Sequence, residues 1–408
     1  MNEPKLRFKA DDGSQFPDLE EKKLGDITSQ YKVRNKKRLP LEIYSVNNIV
    51  GFIPQSEQFD DAGYLKDTDT SIYMIVPPKH FAYNPARLDI GSIGYQYLDH
   101  DVQVSSLYEV FETSDLVNDE FLWSWFHTHY FNNVVKRLQE GGVRLYFYYD
   151  KMQEVKIGLP SLPEQQKIAE FLSTIDTVIE KQKETVSAWE ERKKGVMQKL
   201  FSQEVRFKAD NGSEFPEWEN VTVLDLLVQP ITDGPHETPV LEENGVSFVS
   251  VEAIDNGRVN LTKRRGFISK EYDNVCAKKY KPQLYDVYMV KSGATTGKVA
   301  IVTITDDFNI WSPLAAMRTS SKTEAFFLYY QLQSDVIQNQ VWTKLSLGNQ
   351  PNLGMRALEL FSAVRPCPAE QQKIADCLSS LDEVIEKQKA TLAAWEELKK
   401  GLLQQMFV

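Results

Sequence analysis

The sequence predicts an α+β protein: two mixed α/β domains separated by two long antiparallel coiled-coil helices, arranged as a pseudo-two-fold, circular repeat. Three observations predict it. A long segment is written twice: Glu164-Gln165-Gln166-Lys167-Ile168-Ala169 returns as Glu370 to Ala375, 206 residues on, and the match continues to Phe201 and Phe407 with about two thirds of positions identical. A shorter segment repeats at another offset: Arg7-Phe8-Lys9-Ala10-Asp11 returns as Arg206 to Asp210, 199 residues on, each copy followed by Gly-Ser and Phe-Pro. The stretches between, about 21–158 and 220–363, show no such likeness, so one frame carries two different inserts. The resulting segments are 1–158, a first domain; 159–201, a first long helix; 202–363, a second domain; and 364–408, a second long helix.

The helices follow from heptad spacing. In the first copy Ile168, Leu172, Ile175, Ile179, Gln182, Val186 and Trp189 fall alternately four and three apart; Ile374, Leu378, Leu381, Ile385, Gln388, Leu392 and Trp395 repeat them. A 3.5-residue spacing sustained this long specifies a coiled-coil seam. Ser161, Pro163 and Glu164 offer a cap, a first-turn proline and the acid of a capping box. About 37 residues at 1.5 Å each give helices of roughly 55 Å. The stripe must be buried, on its twin helix or on the adjoining domain. Gln182 and Gln388 at equivalent seam layers favour the twin, because a polar layer fixes register. Direction follows from the circular order. The Arg206 element follows helix one, whereas its mate, the Arg7 element, opens the chain that helix two closes, so the termini must meet and the helices run antiparallel.

Composition bounds the rest. At 408 residues, with 42% hydrophobic and 11% aromatic content, two globular domains are the natural reading. No apolar run reaches membrane-spanning length, and no signal peptide opens the chain. Three dispersed cysteines, Cys276, Cys367 and Cys377, form neither a disulfide framework nor a zinc pattern. The expected location is cytoplasmic. A net charge of −11 counts against uniform nucleic-acid binding but permits local basic clusters.

Both inserts contain such clusters, set among short strands such as Ser71–Val76, Asp286–Lys291 and Val299–Val302, and helices at Glu120–Leu138 and Thr323–Leu345. In the first, Arg34, Lys36 and Lys37 belong to a run of five basic residues in seven. In the second, Lys263 and Arg264 lead a basic triplet. Lys291, Ser292, Thr295, Thr296 and Lys298 belong to a glycine loop that fails the P-loop spacing but could turn backbone N–H groups toward a phosphate; an ordinary hairpin turn is the plain alternative. Asp89-Ile90-Gly91-Ser92-Ile93-Gly94-Tyr95-Gln96 sits at a comparable place in the first insert, with Gly94, Tyr95 and Gln96 as its candidates. His127-Thr128-His129 looks like a ligand pair without a third ligand nearby, so no metal is expected. Methyltransferase, dinucleotide and nucleophile-elbow motifs are missing, so no catalytic residue is assigned.

The duplicated Pro163–Ala169 and Ala369–Ala375 segments, the Lys291–Val299 loop and Phe215-Pro216-Glu217-Trp218 together resemble the specificity subunit of type I restriction–modification enzymes. Pro17-Asp18-Leu19 departs from the Pro-Trp pattern. The resemblance implies two target-recognition domains, each reading half of a split, asymmetric double-stranded DNA sequence. It implies two modification (methyltransferase) subunits docked along the helices, which bind S-adenosylmethionine and methylate adenine. It further implies restriction subunits that use ATP and Mg²⁺ to translocate and cut. This chain is expected to bind no cofactor itself. The alternative is a coiled-coil adaptor that binds proteins only.

Overall fold

A computed structural model describes residues 4–47, 51–58, 69–139, 145–345 and 351–407. The long helices span Leu162–Phe201 and Pro368–Met406. Compactness divides the chain across these helices rather than at the four sequence segments. One unit comprises Met1–Lys183 with Ala390–Val408, and the other Glu184–Lys389.

In the first unit the head of helix one meets the tail of helix two. Ile168, Leu172, Ile175 and Ile179 share a core with Leu392, Trp395, Leu402 and Met406. Asp176 pairs with Lys399, and Lys183 feels Glu396, so numbers rise on one helix as they fall on the other. In the second unit Glu190 pairs with Lys389 at 2.8 Å and Lys193 with Asp382 at 2.6 Å, again antiparallel. Asp176–Lys399 and Asp382–Lys193 are repeat mates, each displaced by 206. The seam also packs on the adjoining domain: Ile168 and Leu172 join Phe121 and Trp125, while Ile374 and Leu378 join Phe327 and Leu328. Both burial routes weighed from sequence are therefore used. Gln182, Trp189, Leu381 and Gln388 are half-buried, and Ile385 is buried.

The circular order is visible in single hydrogen bonds. Leu6 N–H donates to Gln405 O at 3.0 Å, and its mate Val205 N–H donates to Lys199 O at 3.2 Å. Arg7 reaches Glu164 through Nε (3.0 Å) and Nη2 (2.7 Å); Arg206 reaches Glu370 in the same way at 3.1 and 2.8 Å. These forks correct the expected capping box. Glu164 turns to a guanidinium instead of its helix N-cap, and Ser161 Oγ has no partner among the described residues. A buried carboxylate needs charge-assisted donors more than the helix needs that cap. The forks differ by one group: Trp218 Nε1 donates a third bond to Glu370 at 2.8 Å, where the first unit has Leu19.

The repeat extends well into the segments whose sequences differ. Glu20–Lys23 pairs with Lys156–Leu159 in the register in which Glu219–Thr222 pairs with Ser362–Arg365. Phe81 faces Tyr95 and Phe111; 206 residues on, Val287 faces Ile301 and Met317. Each expected long helix is two: Asp119–Phe126 and His129–Leu138, then Ala325–Gln333 and Asp335–Lys344. The breaks fall at Thr128 and Ser334, whose hydroxyls donate to Trp125 O (2.8 Å) and Gln331 O (2.7 Å). Such local side-chain bonds compete with helix continuation. Around this frame the sheets diverge. Besides the frame pairs, the described residues of the first unit form a four-stranded antiparallel sheet and two two-stranded ones; those of the second form a six-stranded and a three-stranded sheet.

Candidate nucleic-acid interface

In the first unit Val33–Asn35 lies along the strand Met74–Val76, with Ile75 N–H on Val33 O and Asn35 N–H on Tyr73 O, both at 2.9 Å. Asn35, 1% exposed, ties the loop from within. Its amide donates to Leu39 O (2.9 Å) and Gln103 Oε1 (3.0 Å), and its Oδ1 accepts Leu39 N–H at 2.7 Å. With the middle residue pinned, Arg34, Lys36 and Lys37 face solvent. Arg38 is drawn to Asp69 at 3.4 Å. The loop thus presents fixed positive charge beside a sheet edge, suited to phosphate contact.

Gly94, Tyr95 and Gln96 require a correction. All three are buried, in the strand Ile93–Tyr95 and just after it. Phe52 lies where a Gly94 side chain would go, Tyr95 O–H donates to Asp119 at 2.6 Å, and the Gln96 amide binds Leu98 N–H and His100 O. The hairpin turn matching the second unit's glycine loop comes earlier: Gly91 (φ 89°) is the repeat mate of Gly297 (φ 94°). Exposed there are Ile90, inside the stretch singled out from sequence, and Arg87, which lies before it.

In the second unit Lys263, Arg264 and Arg265 are exposed. Lys263 pairs with Asp255 at 2.9 Å. Arg264 lies 4.2 Å from the Phe267 ring centre and Arg265 4.1 Å from that of Trp311. A ring beneath a guanidinium holds its plane and leaves the outer face free to meet phosphates or bases. Arg265, the third residue of the basic triplet read from sequence, is held by Trp311, a neighbour distant in sequence.

The glycine loop is a hairpin turn between the strands Val287–Val290 and Val299–Ile301. The N–H groups of Gly293, Thr296, Gly297 and Lys298 are all held by internal carbonyls, so they form no phosphate cradle. Thr296 Oγ1 donates to Gly293 O at 2.7 Å and Lys298 Nζ to Ile254 O at 2.6 Å; Ser292 bridges Asn352. Thr295 is exposed at the tip. Lys291 is buried, its ammonium 3.3 Å from Asp233, a fully buried carboxylate that also takes Lys279 and, at 3.1 Å, His236 Nε2. Two ammonium groups on one carboxylate leave excess positive charge, carried outward by Lys279. Gly234 makes this possible: a Cβ there would stand 1.9 Å from Ile310 O.

His127 and His129 flank the capping Thr128; His127 Nδ1 binds Trp123 O at 2.8 Å. Among the described residues no group of His, Cys, Asp and Glu is arranged to hold a metal, and no helix is long and apolar enough to cross a membrane.

A frame repeated with fixed register, bearing two differently built basic surfaces, can be compared with known families. The model of the type I restriction modification DNA specificity domain matches twice, at residues 17–187 and 217–394. The chain belongs to this family. The MjaVIII type I restriction enzyme specificity subunit of Methanocaldococcus jannaschii is 28% identical over 267 residues, covering 62% of this chain and 61% of that protein. The MjaIX specificity subunit of the same organism is 24% identical over 305 residues, covering 72% and 69%. The chain thus spans under two thirds of the first relative's length. The fold matches the crystal structure of a type I restriction–modification S subunit from M. genitalium, with TM-score 0.55 and 13% identity over 100% of this chain and 99% of that one. A chain from a structural study of type I complex assembly and conformational transition matches with TM-score 0.56 and 16% identity, covering 96% and 97%.

Proposed function

We propose that this chain is the DNA-reading, non-catalytic subunit of a type I restriction–modification complex. Each domain reads one half of a split double-stranded target. The paired helices set the gap between half-sites and dock two modification subunits, which bring S-adenosylmethionine; restriction subunits bring the ATP- and Mg²⁺-dependent chemistry. One observation carries this reading: the same hydrogen-bonded frame, displaced by 206 residues, supports two differently built basic surfaces. A protein-only adaptor has no need of two such surfaces. The net charge of −11 fits a reader whose partners supply much of the phosphate contact.

The test is a ruler experiment. Deleting one heptad from both helices shortens the pair by about 10 Å, or about three base pairs at 3.4 Å per step. Methylome sequencing of cells carrying the complete system should show both half-sites intact and the gap reduced accordingly. An unchanged gap in a folded, active variant rejects the ruler. A gel shift on random duplex with and without modification subunits separates DNA reading from the adaptor reading.

A further inference from the structure

Arg265 and Trp311 are hung from the same end of one buried strand. The strand Val246–Val249 lies between Gly266–Ile268 and Phe308–Ile310; Arg265 immediately precedes one outer strand and Trp311 immediately follows the other. Arg265 N–H donates to Phe248 O and Trp311 N–H to Val249 O, both at 2.9 Å, so both backbones are fixed. The indole is fixed too. Its Nε1 donates to Glu237 O at 3.1 Å, and the Glu237 carboxylate accepts Tyr272 O–H at 3.1 Å. The Arg265 guanidinium lies 4.1 Å from the centre of this anchored ring.

Other arginines of the second unit are committed differently. Arg318 forks onto Asp286 and Arg365 onto Glu219. Arg258 donates to Gly257 O at 3.1 Å, and Arg264 to Leu261 O at 2.8 Å. Arg265 is exposed, and none of its guanidinium N–H groups has an acceptor among the described residues. A ring holds its plane while every in-plane donor stays free. Phosphate contact needs charge but no fixed plane, whereas a base edge needs both. Glu237 is exposed where its backbone holds Trp311, so a phosphate seated on this ring would also meet a carboxylate.

We propose that Arg265 is a specificity-determining residue of the second domain: it reads a guanine through two parallel N–H bonds, with Trp311 as its positioning residue. Guanine offers two acceptors side by side in the major groove, O6 and N7. Adenine sets a donor beside its N7, thymine a methyl beside its O4, and cytosine presents a donor. A fork that cannot swing away therefore loses a bond on any other base. The ring limits that swing, which is how a supported side chain turns attraction into discrimination. This assignment rests on the DNA-reading function proposed above and names one base pair within it. Arg264 and Arg265 both stand at the surface as cations, so salt dependence does not separate them; sequence does.

Methylome sequencing of cells carrying the complete system gives the split motif directed by the unmodified chain and by each variant. Arg265→Ala should relax one G·C position of one half-site about tenfold or more, leaving the other half-site and the gap unchanged. Trp311→Leu should relax the same position. Arg264→Ala, which removes the neighbouring cation, should weaken binding without relaxing it. A second measurement needs no variant to fold. In the target duplex, 7-deazaguanine, which lacks N7 but pairs normally, is placed at each guanine in turn and binding of the complex is titrated. One substitution should weaken the unmodified complex about tenfold and leave the Arg265→Ala complex unaffected. A scan in which no guanine matters overturns the assignment. So does relaxation at an A·T pair, or equal relaxation by Arg264→Ala. If the unmodified chain directs no split motif, the DNA-reading function fails and this assignment with it; a split motif that Arg265→Ala leaves intact removes the assignment alone.

Discussion

Phe81 sits opposite Tyr95 and Phe111 in the first unit, and Val287 sits opposite Ile301 and Met317 in the second. No residue in that set of six matches its mate, yet the pairing is the same to the residue. At the surface the relation inverts. The first unit exposes lysines and arginines on a loop pinned by Asn35, whereas the second backs its arginines with Phe267 and Trp311. The difference teaches which constraints the duplication kept. Backbone pairing and core volume tolerate exchange among apolar residues, while buried charge must keep its partner. The Arg–Glu forks are accordingly among the few parts that are identical in sequence and in geometry.

The forks give the largest expected effect. Glu370→Ala strips three side-chain donors of their acceptor and should cost about 3–5 kcal/mol. Glu164→Ala strips one arginine and should cost about 1 kcal/mol less, since Leu19 makes no bond where Trp218 does. Urea unfolding followed by a probe in each unit checks the order; equal costs would mean that the Trp218 bond contributes nothing.

A smaller effect sharpens the contrast between surfaces. Replacing Arg264 and Arg265 by Ala should lower the salt slope of DNA binding by about two. Lys291→Ala, which removes a buried ammonium, should leave that slope unchanged and instead lower stability. Titrations on target duplex at several salt concentrations measure both. A reduced slope for Lys291→Ala would place that ammonium on DNA after all.

Much of the frame was legible because it is written in long-range periodicity. The heptad stripe gave the helices, and the two offsets gave the circular order and the antiparallel direction. The break at Thr128 was missed because a single hydroxyl outweighs the amphipathic pattern on either side. The surface was less legible. Basic runs at Arg34 to Lys37 and at Lys263 and Arg264 announce themselves by composition and prove to be exposed. Gly94 to Gln96 were misplaced because turn and strand glycines look alike until register is known. Lys291 depends on a buried carboxylate contributed by a separate strand, so local pattern cannot distinguish an exposed basic group from a buried one.

The central claim is that equivalent frames carry interchangeable readers. It is tested by replacing residues 21–158 with a second copy of 220–363 and sequencing the methylome made with the modification subunits. The account predicts a palindromic target, the second half-site appearing twice in inverted order. A folded, methylating variant that still marked the original asymmetric sequence, or marked the half-sites as a direct repeat, would contradict it.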